Sequence, residues 1–328
     1  MEVNERRPHS GPLDILLKGV GQVMFCDNRI TGALFLAGIA LGSWATDQTA
    51  MLGCAIWGVL VSTFAGYWLG VDKESRTNGL SGYNGCLVGA ALGATFQVTP
   101  TMLVMLTLAS AFSTVLLMAT NKVMKTWGVA ALTFPFVVAT WTGLACLDVG
   151  EAVTRSQAPA AAQVGVGWET SADFWLNSLF NGIAQVFLIG NFGTGVFFLV
   201  GLAFASRWAA GLAVVGSLVG LLVALGLGAR TGQVFAGGFG FNPVLTAIAL
   251  GCIFNTPSWR AFVLSVLGAV ATTFVHITLT EFIQAHYGGG FPVYTFPFVL
   301  VTWVFLLARP DVADQAPTEE NSQPSAVG

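Results

Sequence analysis

Charge is what this sequence has least of. Only 9% of its 328 residues are Asp, Glu, Lys or Arg, three are His, and the formal net charge is −3. The basic residues form no cluster, so nucleic acid is not an expected partner. The five cysteines, Cys26, Cys54, Cys86, Cys146 and Cys252, stand in apolar stretches without a close-spaced pair. That pattern favours small buried hydrophobes over a zinc-type ligand set or a disulfide framework. Neither a duplicated carboxylate nor a Ser/His pair falls within the apolar runs. An intramembrane enzyme therefore lacks its chemistry, and no metal or cofactor is expected. Asp173 and Glu281 lie at the ends of runs, and His276 stands alone, expected to bond a neighbouring helix rather than relay protons. Coupling to an ion gradient would need such groups in numbers. No cleavable signal peptide is apparent, since the first ten residues are polar and Asp14 and Lys18 interrupt the apolar run from Leu13.

What is abundant is apolar: 55% hydrophobic residues, with 40 Gly and 25 Phe. This is the composition of a polytopic membrane protein. The runs are too long and unalternating for barrel strands, which leaves helices. In chain order they occupy 12–26, 30–45, 50–71, 82–96, 101–120 and 128–147, then 172–189, 192–206, 208–228, 239–254, 260–280 and 291–308. The stretch 12–26, once its charged beginning is removed, is about half the roughly 20 residues a bilayer crossing needs, which suits a re-entrant half-helix.

The second series copies the first. Thr133-Phe134-Pro135-Phe136 returns as Thr295-Phe296-Pro297-Phe298, 162 residues later, and Gln22-Val23 returns as Gln185-Val186 at an offset of 163. Gly82-Tyr83-Asn84 returns as Gly240-Phe241-Asn242 at 158. Three motifs repeated in order define a unit duplicated and fused. The expected fold is an all-α polytopic membrane protein of two repeats, each with about five transmembrane helices plus one re-entrant half-helix. Its expected divisions are a disordered N-terminus at 1–11, repeat 1 at 12–147, an extracytoplasmic linker at 148–170, repeat 2 at 171–309 and a disordered tail at 310–328. An odd number of crossings per repeat inverts the second copy. With both ends cytoplasmic, Arg6, Arg7, Lys18, Arg29, Lys73, Arg76, Lys122, Lys125, Arg207, Arg260 and Arg309 lie inside and only Arg155 and Arg230 outside, a strong positive-inside bias.

Two inverted copies face each other across one axis, and polar residues repeated in apolar helices are candidates for lining a route along it. Gln22 with Gln185 and Thr133 with Thr295 are such pairs, whereas Asn84 and Asn242, beside Gly and Pro, read better as cross-helix bonds or caps. The Thr-X-Pro-Phe segments should each start or break a helix, because proline withholds an N–H and disfavours α geometry before it. Broken helices expose carbonyl acceptors at membrane depth, which suits a permeant that donates hydrogen bonds. Phe25, Tyr83, Phe187 and Phe241 could wall a slot for flat molecules. Phe134, Phe136, Phe296 and Phe298 flank prolines and read as packing. A neutral, planar solute rich in N–H groups, moving passively, fits this inventory.

Gln-Val-X-Phe at 22–25, Gly-Tyr-Asn-Gly-X-Leu-Val-Gly at 82–89 and the twin Thr-Phe-Pro-Phe segments resemble the urea transporter family, which includes bacterial urea channels, across nearly the whole chain. The resemblance implies a homotrimer with one urea pore per protomer. It implies acceptor ladders that include Thr133 and Thr295, wide-end glutamines Gln22 and Gln185, and apolar slot residues Val23, Leu87, Val186 and Leu245. Ring positions match Phe25, Tyr83 and Phe241, while the counterpart of Phe25 is Leu188, with Phe187 one place earlier. The expected partners are urea and membrane lipid, and the expected location is a bacterial inner membrane, crossed many times with both termini cytoplasmic. The alternative, a channel for ammonia or other small neutral amides, would be expected to repeat a pore histidine, and none of His9, His276 or His286 recurs. A water or glycerol channel would want Asn-Pro-Ala in both halves, and only Asn242-Pro243 is present, followed by Val.

Overall fold

The computed structural model describes residues 11–149, 153–156, 171–287 and 291–308. The disorder expected for the N-terminal residues and for the tail, and most of the linker, fall outside the described residues. Fourteen helices account for nearly all of what is described, seven per half in the same order. The first seven are α1 (Pro12–Gly21), α2 (Arg29–Ala45), α3 (Ala50–Trp68), α4 (Lys73–Thr77), α5 (Tyr83–Thr95), α6 (Pro100–Met124) and α7 (Phe134–Val149). Their counterparts are α8 (Ala172–Ala184), α9 (Phe192–Ala205), α10 (Arg207–Gly226), α11 (Thr231–Phe235), α12 (Phe241–Ile248), α13 (Trp259–Tyr287) and α14 (Phe296–Leu307).

Local chemistry repeats with the elements. A 3₁₀ turn ends α1 at Gln22–Met24 and another ends α8 at Gln185–Phe187. Each hands over to a left-handed residue, Phe25 at φ 64° and Leu188 at φ 63°. The side chain of Asn28 then caps α2 and that of Asn191 caps α9, accepting from backbone N–H groups of the first turn. The axis bends by 74° between α1 and α2 and by 72° between α8 and α9, so each repeat opens on a short helix set sharply against the next. As Thr-X-Pro-Phe required, α7 starts at Phe134 and α14 at Phe296, with proline at the second helical position of each.

Four helices (α3, α6, α10 and α13) are long and apolar enough to cross a membrane, or six spans if each bent pair counts as one. The remaining apolar helices are shorter. Helix α5, with 13 residues, reaches only about 20 Å, well short of the roughly 30 Å hydrocarbon core. Counting hydrophobic runs therefore overestimates continuous crossings, because α5 and α12 are short, centrally buried pieces. They fit there because their backbones nearly touch those of α3 and α10: a Cβ at Gly58 would strike the Gly85 carbonyl, and one at Gly216 would strike Pro243.

The halves are joined by contacts that answer each other. Thr31 Oγ1 donates to the Gly201 carbonyl at 2.7 Å, and its counterpart Thr194 Oγ1 donates to Gly38 at 2.8 Å. Trp141 Nε1 donates to the Pro292 carbonyl and Trp303 Nε1 to that of Ala130, at 2.8 and 2.9 Å. Phe134 lies against Trp303 and Trp141 against Phe296, with ring centroids 5.4 and 5.7 Å apart. In each set an early residue of one helix meets a late residue of its copy, so α2 and α9 run antiparallel, as do α7 and α14. Reciprocal antiparallel contacts are those of a twofold axis lying across the helices, and they make the second repeat an inverted copy of the first. Residues that meet their own counterparts lie on that dyad: Phe35 with Phe198, centroids 4.9 Å apart, and Thr133 with Thr295. Three of the cysteines, Cys26, Cys54 and Cys86, are buried as expected, whereas Cys146 is exposed.

The dyad makes a prediction. Thr31→Val and Thr194→Val each remove one buried hydrogen bond of the reciprocal pair, so each should cost about 1 kcal/mol, seen as matching falls in melting temperature of the detergent-solubilised protein. A fall in one variant alone would mean that the two contacts are not equivalent.

Candidate functional site: a route on the dyad

The hydroxyls of Thr133 and Thr295 are 2.6 Å apart and buried. Two layers hold them. The residue before each threonine is forced into left-handed backbone, Leu132 at φ 52° and Tyr294 at φ 48°. Such strain in non-glycine residues persists only where surroundings over-determine it, and it concentrates at functional sites. Behind each threonine, an asparagine secures the new helix. Asn84 Oδ1 accepts from Phe136 N–H at 3.0 Å and Asn242 Oδ1 accepts from Phe298 N–H at 3.2 Å. These amide hydrogens are among those a helix start leaves unpaired, so the asparagines cap the broken helices from α5 and α12.

The halves then diverge. Asn242 Nδ2 donates to the Tyr294 carbonyl at 2.9 Å and to His276 Nδ1 at 3.0 Å, so His276 is bonded across helices as expected. In the first half Tyr83 Oη takes the equivalent carbonyl, donating to Leu132 at 2.6 Å. Phe241, in the place of Tyr83, has no hydroxyl to do so.

On one side of the threonines the dyad opens into a cavity of about 500 Å³. Thr133, Leu132, Tyr83, Val23 and Gln22 line it together with Phe25. Phe25 stands edge-on to Phe254, centroids 6.4 Å apart, and to Phe298 at 6.1 Å. Five residues expected from sequence thus converge here. Phe254 and Phe298 join them: the proline context of Phe298 suggests packing, and the signal for Phe254 is its repeat of Phe96 at the offset of 158. Gln22 is anchored by donation from Nε2 to the Asn78 carbonyl, and Gln185 by donation to Ala236, both at 2.9 Å. Each glutamine keeps its Oε1 acceptor and its second Nε2–H beyond this bond. The anchoring needs close approach: Gly79 and Gly237, at φ 77° and 81°, sit against the backbones of α1 and α8 where a side chain would collide. At the rim Asp72 accepts from Ser75 N–H at 2.9 Å, and this bond lowers its pKa and keeps it ionised.

The second half places its residues differently. Leu188 has the backbone and half-buried setting of Phe25. Phe187 is turned into the dyad core, its ring 5.8 Å from Phe35 and 5.0 Å from Phe198. Val186, Leu87 and Leu245 are fully buried, and Phe241 sits 5.3 Å from the His276 ring. A second cavity of about 610 Å³ lies between the segment 228–239, which contains α11, and α13. Its wall is made by Phe239 and His276, and the counterparts of Phe25, Leu132 and Thr133 do not line it.

The sequence was compared with known proteins. The family model described as "Urea transporter" matches residues 13–310. Urea transporter 1 of Ovis aries is 30% identical over 302 residues, covering 90% of this chain and 76% of that protein. Urea transporter 1 of Rattus norvegicus is 30% identical and that of Mus musculus 29%, each over 301 residues with the same coverage. A family match over nearly the whole length, together with an apolar, inverted helical repeat of this geometry, establishes that the chain is a membrane protein belonging to the urea transporter family.

Proposed function

We propose that the chain is a passive urea channel whose route follows the dyad between the repeats 12–147 and 171–309. The observation that carries this reading is the Thr133–Thr295 hydroxyl pair, placed on the dyad at the inner end of an aromatic-walled cavity. A urea molecule arriving from the cavity meets flat ring walls at Phe25, Tyr83, Phe254 and Phe298, then acceptor oxygens at the two threonines. The remaining candidates, Gln22, Val23 and Leu87 on one side and Gln185, Val186, Phe187, Leu188, Phe241 and Leu245 on the other, belong to the route or to its immediate support.

The energetics follow from the groups present. Urea sheds water on passing inward, and each acceptor that replaces a water returns about 1 kcal/mol net, so a file of them lowers the barrier without forming a deep trap. The threonine hydroxyls satisfy each other in one bond and exchange it for urea N–H donors at little cost. An ion in the same place finds no countercharge and would pay many kcal/mol for desolvation. The assembly consistent with this reading is a homotrimer with one pore per protomer, in a bacterial inner membrane with both termini cytoplasmic and the linker outside.

Purified protein in proteoliposomes should therefore show urea flux that rises without saturation to high concentration and ignores membrane potential, sodium and proton gradients. Stopped-flow light scattering with urea, ammonia and water in parallel measures it, and uphill accumulation driven by any gradient would exclude a channel. Shape selection gives a second expectation: Phe25→Ala or Phe254→Ala should admit bulkier amides such as acetamide or methylurea while urea flux persists. Unchanged discrimination in both variants would assign these rings to packing.

A further inference from the structure

The dyad maps the first mouth of the route onto a second. Phe254, Phe298, Phe25 and Leu132 correspond to Phe96, Phe136, Leu188 and Tyr294. The first set faces an open cavity. In the second, Phe96 is fully buried where Phe254 is half-buried. After α7 the chain returns at Val153–Ser156 and forms an isolated antiparallel bridge in which Arg155 stands opposite Phe96. Gln97 N–H donates to the Thr154 carbonyl at 3.0 Å and Ser156 N–H to that of Thr95 at 2.8 Å. The side chain of Val153 is buried. The Arg155 guanidinium lies over the Phe96 ring, 5.6 Å from its centroid. Its Nε donates to Asp148 at 2.9 Å, Nη2 pairs with the same carboxylate, and Tyr294 is a further electrostatic neighbour.

A guanidinium and a urea molecule share a planar carbon centre with in-plane N–H donors, so a ring face that holds the flat side of one has the shape to hold that of the other. We propose that Val153–Ser156 is a clasped cover on the second mouth, and that the Arg155 guanidinium occupies the flat place on Phe96 that urea takes in transit. Passage then requires Arg155 to swing aside. The inference rests on the urea route proposed above. A charge filter is the weaker account, because the Asp148 carboxylate cancels the field of the guanidinium at the mouth. Opening the cover means releasing an exposed ion pair, which contributes little, and a bridge of two backbone bonds.

The bridge geometry supplies the test. Phe96 and Arg155 form a non-hydrogen-bonded antiparallel pair, with Cα atoms about 4.5 Å apart, a spacing a disulfide can span. In a Cys146→Ser background, Phe96→Cys/Arg155→Cys protein in proteoliposomes should lose urea flux about 10-fold or more on oxidation and regain it with reductant. Comparing the two redox states of one protein cancels the effect of the missing side chains. Separately, Arg155→Ala should raise urea flux about 2-fold to 5-fold, the scale of a released surface ion pair. Oxidised and reduced protein conducting alike, or Arg155→Ala lowering flux, would overturn the proposal. A wild-type protein that does not conduct urea would instead overturn the route on which it rests.

Discussion

The contact between the hydroxyls of Thr133 and Thr295 at 2.6 Å can exist only if two copies of one unit meet at a shared axis, and much of the molecule is arranged to make that meeting possible. Each threonine stands where a helix must begin, because a proline follows two residues later. Each beginning is held by an asparagine from the neighbouring broken helix, and each is preceded by a residue in strained left-handed backbone. The reciprocal bonds of Thr31 and Thr194, and of Trp141 and Trp303, clamp the same dyad farther out. Breaking helices at membrane depth leaves polar backbone that lipid cannot satisfy. Here that polarity is gathered on the axis.

Symmetry is kept where geometry matters and abandoned where the two mouths differ. Tyr83 ties down the Leu132 carbonyl with its hydroxyl, while Phe241 lacks one and the matching carbonyl is served by Asn242, which also holds His276. Leu117 lines the first vestibule where the second half has His276, and Ser81 lines it where the second has Phe239. These exchanges leave one side open from the rim to Thr133. On the other side an outer cavity stops at an aromatic wall, and Val153–Ser156 is bridged to the chain at Phe96. One duplicated unit has thus been fitted with two different approaches to a common centre.

Much of this was legible in the residues. Duplication with inversion follows from the three repeated motifs and the Lys/Arg distribution, and proline chemistry alone located the starts of α7 and α14. Gln22 and Thr133 could be named as repeated polar residues in apolar runs, Phe25 and Tyr83 as rings beside them, and Val23 from the family resemblance, and the structure gathers all five in one cavity. Sequence was a poorer guide where direction decides. Phe187 and Leu188 are adjacent, but the left-handed turn at Leu188 sends the neighbouring ring into the dyad core. Phe298 was hidden by its proline context, and Phe254 by lying in the fainter echo of Phe96. Hydropathy could not reveal that α5 and α12 are buried fragments, because a centrally buried helix and a lipid-facing one are equally apolar.

The central claim is that urea passes between the two threonines of the dyad. Thr133→Val and Thr295→Val keep the shape of the site and remove one acceptor each, so the most direct measurement is urea flux through both variants in proteoliposomes with folding and oligomeric state verified. The account requires losses of similar size, about 1 to 3 kcal/mol or roughly 5-fold to 150-fold in flux. If both variants conduct urea like the wild type, the threonine pair is helix packing and the route lies elsewhere.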